Sequence, residues 1–485
     1  MTWASILHAD PSLWSLFLLI YVVVVTIAII TDEREPTETL AWLVVLLALP
    51  VVGLFFYVMF GRNLKKKRAK DPRTREMHML ATPVMHRLYE RHADVLEESR
   101  ALTEGWDLDH IVATISNADG ARPLPAYDVE LFIDGQAKFD ALMADLRAAT
   151  DTINMQYFIW KHDALTVQVT DILIEKVKQG VEVRLTCDWA GNFLYQKDDL
   201  RRLKREGVQF HWDATDIREL NYRNHRKTVI IDGTIGYTGG INIAQEYVDG
   251  GDRYDSWRDT HIRYTGPAVA ELQKMFAVRW YFETGENLFT ERYFPEEYPT
   301  GQRRYLTQTV WSGIDIEWDP ARRAHMVAIS DARDRVWIQS PYFVPTPDMY
   351  SSLIDAALSG VDVRIMMTGI PDKRIAWYAA ETFFRTFIAA GGRIYRYNAG
   401  FFHSKTITVD GHVSSVGTLN MDIRSLALNS ELMVWVYDEE FTRSHEEVFL
   451  ADLELCEEVT LEVIESWPAW RRLRNAASRL ASNLL

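Results

Sequence analysis

A pattern of five residues occurs twice in this chain with the same internal spacing. The first copy consists of His225, Lys227, Asp232, Gly239 and Asn242. The second copy lies 178 residues later and consists of His403, Lys405, Asp410, Gly417 and Asn420. Identical spacing in two places indicates an internal repeat, and a repeat of this size predicts two similar structural units.

The sequence around each copy extends the repeat. Strand-like and helix-like segments alternate, and "VEVRLTCDW" at 181–189 matches "VDVRIMMTG" at 361–369. This alternation is typical of an α/β fold. We therefore predict two similar α/β halves, 125–304 and 305–460, which pack as one pseudo-two-fold catalytic unit. The polar, helix-prone stretch 61–124 precedes them.

Each copy of the pattern reads as a β-hairpin. β-Branched residues precede an Asp-Gly pair, and a second strand follows it. Residues two apart on a strand share a face, so the His and the Lys of each copy point the same way. Asp232 and Asp410 occupy the turns, where an aspartate commonly bonds to its own hairpin. We expect these two to hold the motif together more than to contact substrate.

One imidazole, one ammonium and one carboxamide from each half suit the chemistry of a phosphoryl group. The lysines would neutralise its oxygens and the Asn amides would donate to them. One histidine would attack phosphorus and the other would protonate the departing alkoxide. A single His-x-Lys pair is more often a solvated strand edge, but two copies in register favour function. No metal or other cofactor is expected.

A nucleophilic histidine also needs a carboxylate on its second ring nitrogen. Asp259 follows the first motif and Glu431 follows the second, each at the edge of an apolar, strand-like run. From their order in the chain we expect Asp259 to orient His225 and Glu431 to orient His403.

The N-terminal region 1–60 contains two uncharged apolar runs, 13–30 and 41–60. Each is long enough to cross a bilayer, which predicts two transmembrane helices. A cleaved signal peptide is the alternative for the first run, but no Lys or Arg precedes it and a second run follows. The linker 31–39 is acidic and 61–70 is basic, which places the later chain on the cytoplasmic side.

The C-terminal region 461–485 has the pattern of a basic amphipathic helix. Its arginines are Arg471, Arg472, Arg474 and Arg479, and its apolar positions at helical spacing are Trp470, Leu473, Ala477, Leu480, Ala481 and Leu484. Such a helix can lie in a membrane interface, or it can pack on the domain as a terminal helix. The formal net charge of the whole chain, −15, disfavours a nucleic-acid partner.

The doubled His-x-Lys-x-x-x-x-Asp pattern, followed each time by a Gly and an Asn, resembles the signature of the phospholipase D superfamily. The resemblance implies a covalent phosphohistidine mechanism without metal. It implies that His225 and His403 are the active-site histidines. In relatives the histidine of the first half is commonly the nucleophile, which corresponds to His225, although the motif itself is symmetric and does not distinguish the two. It also implies that Lys227, Lys405, Asn242 and Asn420 bind phosphate.

Three further stretches, "TLAWLVVLLALPVVGLFFYVMFGR", "PYFVP" and "WRDTH", resemble the bacterial cardiolipin synthases of this superfamily. That resemblance implies a multi-pass protein of the bacterial inner membrane that transfers a phosphatidyl group between two phosphatidylglycerol molecules. A phospholipase D hydrolase or another phosphatidyltransferase remains the alternative. A membrane scaffold is disfavoured because both motifs are intact. The chain departs from the pattern at Thr418, where Ser is usual. It also has an aspartate, Asp259, as the carboxylate of the first half, where the second half has the glutamate Glu431.

Overall fold

The computed structural model describes residues 11–31, 36–61, 65, 68, 71–95, 97, 108–213, 215, 219, 221–314 and 316–480. The chain divides into two units. One comprises Met1–Lys67 with Thr215–Asn221, and the other comprises Arg68–Ala214 with Tyr222–Leu485.

The described part of the first unit contains three helices: α1 (Pro11–Ile30), α2 (Pro36–Ala48) and α3 (Pro50–Phe60). The apolar run 41–60 is therefore not one continuous helix. Leu49 has non-helical backbone angles, φ −134 and ψ 70, because the residue before a proline avoids the helical region. The chain then turns back, so that the rings of Trp42 and Tyr57 pack edge to face with centroids 5.4 Å apart.

Among the residues that the structure describes, no helix has both the length and the apolar character to cross a membrane. The two predicted transmembrane helices thus stay a prediction. The linker 32–35 and most of the basic cluster at 62–70 lie outside the described residues.

The second unit begins with α4 (Pro72–Arg91) and α5 (Asp109–Asp119), which precede two series of strands. The strands of the first half are β1 (Leu124–Phe132), β2 (Thr152–Tyr157), β3 (Glu182–Asp188), β4 (Gln209–Asp213), β5 (Thr228–Ile231), β6 (Ile235–Gly239), β7 (Trp257–Arg258) and β8 (His261–Thr265). Its helices are α6 (Gly135–Ala148), α7 (Ala164–Lys178), α8 (Asp198–Arg205), α9 (Glu246–Asp249) and α10 (Val269–Thr284).

The second half repeats this order. Its strands are β9 (Arg304–Ser312), β10 (Arg335–Gln339), β11 (Phe343–Val344), β12 (Asp362–Thr368), β13 (Arg393–Tyr397), β14 (Phe401–Phe402), β15 (Thr406–Val409), β16 (Val413–Gly417), β17 (Met421–Asp422), β18 (Glu431–Tyr437) and β19 (Cys456–Val459). Its helices are α11 (Pro320–Asp331), α12 (Pro347–Leu358), α13 (Arg374–Ala389), α14 (Ile423–Ala427), α15 (Glu439–Leu453), α16 (Leu461–Glu465) and α17 (Ala469–Leu480).

Fifteen of these strands form one sheet that reads almost the same from either end. Its order is β19-β13-β12-β10-β15-β16-β18-β9-β1-β8-β6-β5-β2-β3-β4. β1 and β9 pair antiparallel at the centre, and β2-β3-β4 and β10-β12-β13 are parallel on either side. The strands are rich in Val and Ile and are buried, as expected for sheets covered by helices. The α/β repeat predicted from the sequence is confirmed.

The hairpins β5–β6 and β15–β16 carry the repeated motif, and an aspartate with positive φ forms each turn. Asp232 accepts hydrogen bonds from the backbone N–H groups of residues 150–152. Asp410 does the same for residues 333–335. Each aspartate thus lies at the opposite end of its strand from the motif lysine, and it ties its hairpin to the loop before β2 or β10.

A histidine outside the motifs provides a test of the core. His445 on α15 is buried, and its Nδ1 lies 2.6 Å from the Ser414 hydroxyl. Burial lowers its pKa to about 3, whereas the unfolded chain has an ordinary histidine pKa of about 6.5. The unfolded state therefore binds a proton that the folded state does not, and its contribution to stability is lost as the pH falls below about 6.5.

We expect the free energy of unfolding to fall as the pH drops from about 7 to about 5, with His445 alone contributing roughly 2 kcal/mol. Urea unfolding of the detergent-solubilised chain measures this. His445→Gln should flatten the pH dependence by that amount, whereas His86→Gln, at an exposed position, should not. An unchanged pH slope in His445→Gln would contradict a neutral buried imidazole.

Candidate active site

The two His-Lys pairs lie immediately before β5 and β15, and all four side chains are buried. Each lysine folds back on its own motif. Lys227 Nζ donates to the backbone oxygen of His225 at 2.5 Å, and Lys405 Nζ donates to the backbone oxygen of His403. The same local geometry therefore occurs in both halves. It fixes the ammonium at the backbone oxygen of the histidine that precedes it by two residues.

The orienting carboxylates are exchanged between the halves. His225 Nδ1 lies 3.0 Å from Glu431 Oε2, and His403 Nδ1 lies 2.7 Å from Asp259 Oδ2. Both carboxylates predicted from the sequence are thus at the site. The expected assignment, Asp259 to His225 and Glu431 to His403, is wrong, since each histidine is oriented by the other half.

Backbone pairing across the halves causes this exchange. The N–H of His225 donates to the oxygen of Ser430 at 2.9 Å, and the N–H of His403 donates to the oxygen of Arg258 at 2.8 Å. Ser430 and Arg258 directly precede the two carboxylates in the chain. β7 and β14 also pair across the halves, in parallel. The backbone bond to Ser430 therefore places Glu431 beside His225, and the backbone bond to Arg258 places Asp259 beside His403.

These contacts define the tautomer of both histidines. His225 Nδ1 faces two acceptors, the Glu431 carboxylate and the backbone oxygen of Thr418 at 3.2 Å. His403 Nδ1 faces the Asp259 carboxylate. Nδ1 must therefore carry the proton in each neutral ring, and the lone pair is on Nε2. That is the tautomer needed for attack through Nε2.

The surroundings of the two carboxylates differ. Glu431 also accepts from the Thr418 hydroxyl at 2.6 Å and from the Asn429 amide at 3.3 Å. Asp259 accepts from the backbone N–H of Thr260 at 2.8 Å. Gly240 occupies the position equivalent to Thr418, and a Cβ there would lie 1.9 Å from Asp259 Oδ1. Position 240 must therefore be glycine, because the Asp259 side chain occupies the space that a Cβ would need.

Burial controls the protonation of the histidines. It lowers the pKa of His225 to about 3 and of His403 to about 4, against the opposing effect of each carboxylate. Burial alone would raise the pKa of Glu431 and Asp259. The nearby imidazoles and the motif lysines instead hold both carboxyl pKa values below their usual range. At neutral pH the site thus contains two neutral imidazoles and two carboxylates.

The two lysines belong to the same electrostatic cluster. Burial lowers the pKa of Lys227 to about 7 and of Lys405 to about 8. The positive charge of Lys405 further lowers the pKa of Lys227, whereas Glu431 and Asp259 raise it. Both halves therefore contribute charges to one site. A bound anion would favour the charged form of both lysines.

The two motif asparagines are engaged differently. Asn242 Nδ2 donates to the Tyr247 hydroxyl at 2.5 Å, and its Oδ1 accepts from the N–H of Ile159 at 3.1 Å. Asn420 is buried, and its Oδ1 has no hydrogen-bond partner among the described residues. The predicted role of both amides in phosphate binding stays a prediction.

Aromatic rings form the walls around the histidines. Phe158 packs edge-on against His225 at 4.9 Å between centroids. Trp257, Phe401 and Tyr247 surround His403 at 5.5, 5.7 and 6.1 Å. The sequence patterns did not identify these residues as part of the site, although Phe158 and Trp257 lie beside strand-like stretches.

A buried ion pair supports the strand that carries Asp259. Arg258 makes two hydrogen bonds to Asp452, at 3.0 and 2.7 Å, and a third to the backbone oxygen of Asp259 at 2.7 Å. Asp452 also accepts from Gln339 at 2.9 Å. The pair joins β7 of the first half to α15 of the second. Asp452 lies in no motif, so no local pattern indicated its role.

Within the described residues, no group of three or more His, Cys, Asp or Glu side chains is arranged to hold a metal ion. Cys187 and Cys456 are both free thiols.

Comparisons with known proteins agree with this architecture. Residues 142–280 and 326–453 match the family described as "Cardiolipin synthase, PLD-like domain", and residues 16–62 match "Phospholipase_D-nuclease N-terminal". The structure of phosphatidylserine synthase from Haemophilus influenzae Rd KW20 superposes with a TM-score of 0.61 at 14% identity. The match covers 78% of this chain and 99% of that one, and it supports the fold.

Curated relatives cover nearly the whole chain. The major cardiolipin synthase ClsA of Bacillus subtilis (strain 168) is 35% identical in an alignment of 488 positions that covers 98% of this chain and 99% of the relative. The cardiolipin synthase of Alkalihalophilus pseudofirmus is 34% identical, over 96% of this chain and 92% of the relative. Fold and paired motifs define a two-half protein of the phospholipase D superfamily. Within that superfamily, this chain belongs to the cardiolipin synthase family.

The exchanged carboxylates can be tested with double-mutant cycles on the free energy of unfolding in detergent. We expect His225→Ala and Glu431→Gln to be coupled by about 1–3 kcal/mol, because they are in direct contact. The matched cycle of His225→Ala with Asp259→Asn should be additive to within about 0.5 kcal/mol. Strong coupling in the second cycle and none in the first would restore the assignment within each half.

Proposed function

We propose that this protein is a phosphatidyltransferase that makes cardiolipin and glycerol from two molecules of phosphatidylglycerol. One observation carries the proposal: two identical His-Lys pairs share a single buried site, and each histidine is oriented by a carboxylate of the other half. The family to which the chain belongs supplies the substrate class.

The first step forms a covalent bond to the protein. Nε2 of one histidine attacks the phosphorus of phosphatidylglycerol, and the bond from phosphorus to the glycerol oxygen breaks. The second histidine, which is protonated once the anionic phosphodiester is bound, donates that proton from Nε2 to the glycerol oxygen, and glycerol leaves. In the second step the same histidine removes the proton from a hydroxyl of another phosphatidylglycerol. That oxygen attacks phosphorus, and the phosphorus–nitrogen bond breaks.

The carboxylate surroundings support His225 as the nucleophile. The Glu431 carboxylate accepts hydrogen bonds from His225, Thr418 and Asn429. It therefore stabilises a protonated His225 less than Asp259 stabilises a protonated His403. Asp259 has His403 and one backbone N–H as its partners. His403 is therefore the easier ring to protonate, which suits the general acid. Burial lowers the pKa of His403 to about 4, and an anionic phosphate beside it would raise that pKa, so that the ring can take up the proton that it later donates.

The aromatic walls favour transfer over hydrolysis. The rings packed against both histidines limit the access of water to the phosphohistidine, which favours attack by a lipid hydroxyl. The lysines supply the positive charge that a dry site needs to hold a phosphodiester.

We expect the purified full-length chain in detergent micelles to convert phosphatidylglycerol to cardiolipin with release of glycerol, as measured by mass spectrometry. His225→Ala and His403→Ala should each lower turnover by at least about a thousandfold, because the two imidazoles have different tasks. An acid-labile, base-stable lipid adduct should form on the parent chain during turnover and be absent in His225→Ala.

Ser404→Ala is the matched control, since it changes a neighbouring buried residue and leaves both histidines. Phosphatidic acid as the main product would show that the chain is a hydrolase. Near-normal turnover in either histidine variant would exclude the two-histidine mechanism.

We further propose that the apolar runs 13–30 and 41–60 anchor the chain in the bacterial inner membrane, with the catalytic halves on the cytoplasmic side. Large apolar side chains on α1 and α3 are exposed, among them Leu19, Val24 and Phe55. The charge difference between the flanking segments supports the orientation. The break before Pro50 is compatible with membrane burial where neighbouring groups satisfy the freed backbone.

A reporter fused after Leu485 tests this orientation. Fusion to green fluorescent protein should give fluorescence, and fusion to alkaline phosphatase should give little activity. A chain truncated after residue 38 and fused to the same reporters is the control, because its junction should give the opposite pattern. High phosphatase activity after Leu485 would place the catalytic halves in the periplasm.

A further inference from the structure

The C-terminal helix α17 is packed with its charged side toward the protein. Arg471 makes two hydrogen bonds to Glu381 on α13, at 3.1 and 2.6 Å, and Asn475 makes a third at 2.7 Å. Arg474 reaches the same carboxylate at 3.4 Å. Glu381 is buried, and although burial alone would raise its pKa, Arg471 and Arg396 hold it below the usual range.

Aromatic rings of the protein complete this inner face. The guanidinium of Arg474 lies 3.6 Å from the centre of the Tyr378 ring, and that of Arg471 lies 4.0 Å from the centre of the Trp467 ring. Arginines that would ordinarily face solvent are therefore used as docking contacts. The rotational setting of α17 is fixed by several charge-assisted bonds.

The opposite face of α17 is apolar and uncovered. Trp470, Leu473 and Leu480 are 63%, 73% and 89% exposed, and Ala477 is exposed between them. Their spacing of three, four and three residues places them in one stripe along the helix. This stripe is the face that an amphipathic helix normally buries. Residues 481–485 lie outside the described part of the chain.

The charge of α17 indicates what covers this stripe. The helix has four arginines and no acidic residue, in a chain with a net charge of −15. Arg472 and Arg479 are exposed, and the guanidinium of Arg479 also lies 4.4 Å from the centre of the Phe383 ring on α13. An apolar stripe with a tryptophan and flanking arginines is complementary to an anionic bilayer, where the apolar side chains enter the acyl boundary and the arginines meet phosphates.

We propose that the stripe formed by Trp470, Leu473, Ala477 and Leu480 docks on the surface of an anionic bilayer and holds the second half of the protein against it. The inference rests on the proposed function, because a lipid substrate requires the site to be presented to the membrane. It adds a second point of membrane attachment, on the opposite end of the chain from the apolar runs.

A site-specific label tests the proposal independently of activity. The full-length variant Leu473→Cys, labelled with nitrobenzoxadiazole, is reconstituted into vesicles of phosphatidylcholine with or without an equal amount of phosphatidylglycerol. We expect a blue shift of the label's emission and its quenching by brominated acyl chains in the anionic vesicles, with weaker quenching in phosphatidylcholine alone. Leu358→Cys, at another exposed leucine, is the matched control and should show neither effect.

Each outcome decides the proposal. An emission that stays at the wavelength of a solvent-exposed label would overturn it. A blue shift without quenching by the brominated lipid would also overturn it, because protein, from a second copy or from the N-terminal region, would then cover the stripe. Both readouts are informative even if the chain makes no cardiolipin.

A functional comparison completes the test. The triple variant Trp470→Ser, Leu473→Ser, Leu480→Ser changes exposed side chains, so its unfolding midpoint in detergent should match that of the parent. We expect its turnover to fall by about tenfold on anionic vesicles and to stay unchanged in detergent micelles. Equal turnover on vesicles and in micelles would show that the stripe does not serve to hold the enzyme on the bilayer.

Discussion

Each motif histidine depends on a carboxylate that belongs to the other half of the protein. The pairs His225–Glu431 and His403–Asp259 are buried, and a buried carboxylate without its partner would cost several kcal/mol. Neither half can therefore form a working site alone. Each half would contain a carboxylate without its imidazole and an imidazole without its carboxylate. The central β1–β9 pairing and the bridges between β7 and β14 fix the distance between the halves on which both pairs depend.

Much of this arrangement was predictable from the sequence. The repeat predicted two α/β halves, and the hairpin pattern predicted the strands β5 and β15. The His-Lys pairs were expected on these strands but lie immediately before them. The partners of the histidines were not predictable in the same way. Asp259 and Glu431 could be found as carboxylates near strand ends, but chain order favours a contact within one half. The exchange depends on backbone hydrogen bonds to Ser430 and Arg258, and such long-range pairing has no local signal.

The terminal regions show the same limit of pattern reasoning. Helical spacing predicted an amphipathic helix at the C-terminus, and α17 is one. The pattern could not say which face is inward, because that depends on Glu381, a buried acid about ninety residues earlier in the chain. The arginine side packs on this carboxylate and on the rings of Tyr378 and Trp467. At the N-terminus, by contrast, Pro50 is a local signal for the end of a helix. The helix α2 ends before it because the residue that precedes a proline avoids the helical conformation.

The buried lysines couple phosphate binding to protonation. With both charged, the cluster of two ammonium groups and two carboxylates has no net charge, and Lys227 and Lys405 repel each other. A phosphodiester supplies a negative charge between them, which raises the pKa of both lysines, so binding draws protons into the site. The same burial that excludes water from a phosphohistidine thus lowers the pKa of both lysines until the anion arrives. Binding of an anion is thus coupled to proton uptake by the buried lysines, and this coupling favours an anionic phosphodiester over a neutral alcohol as the first substrate to enter.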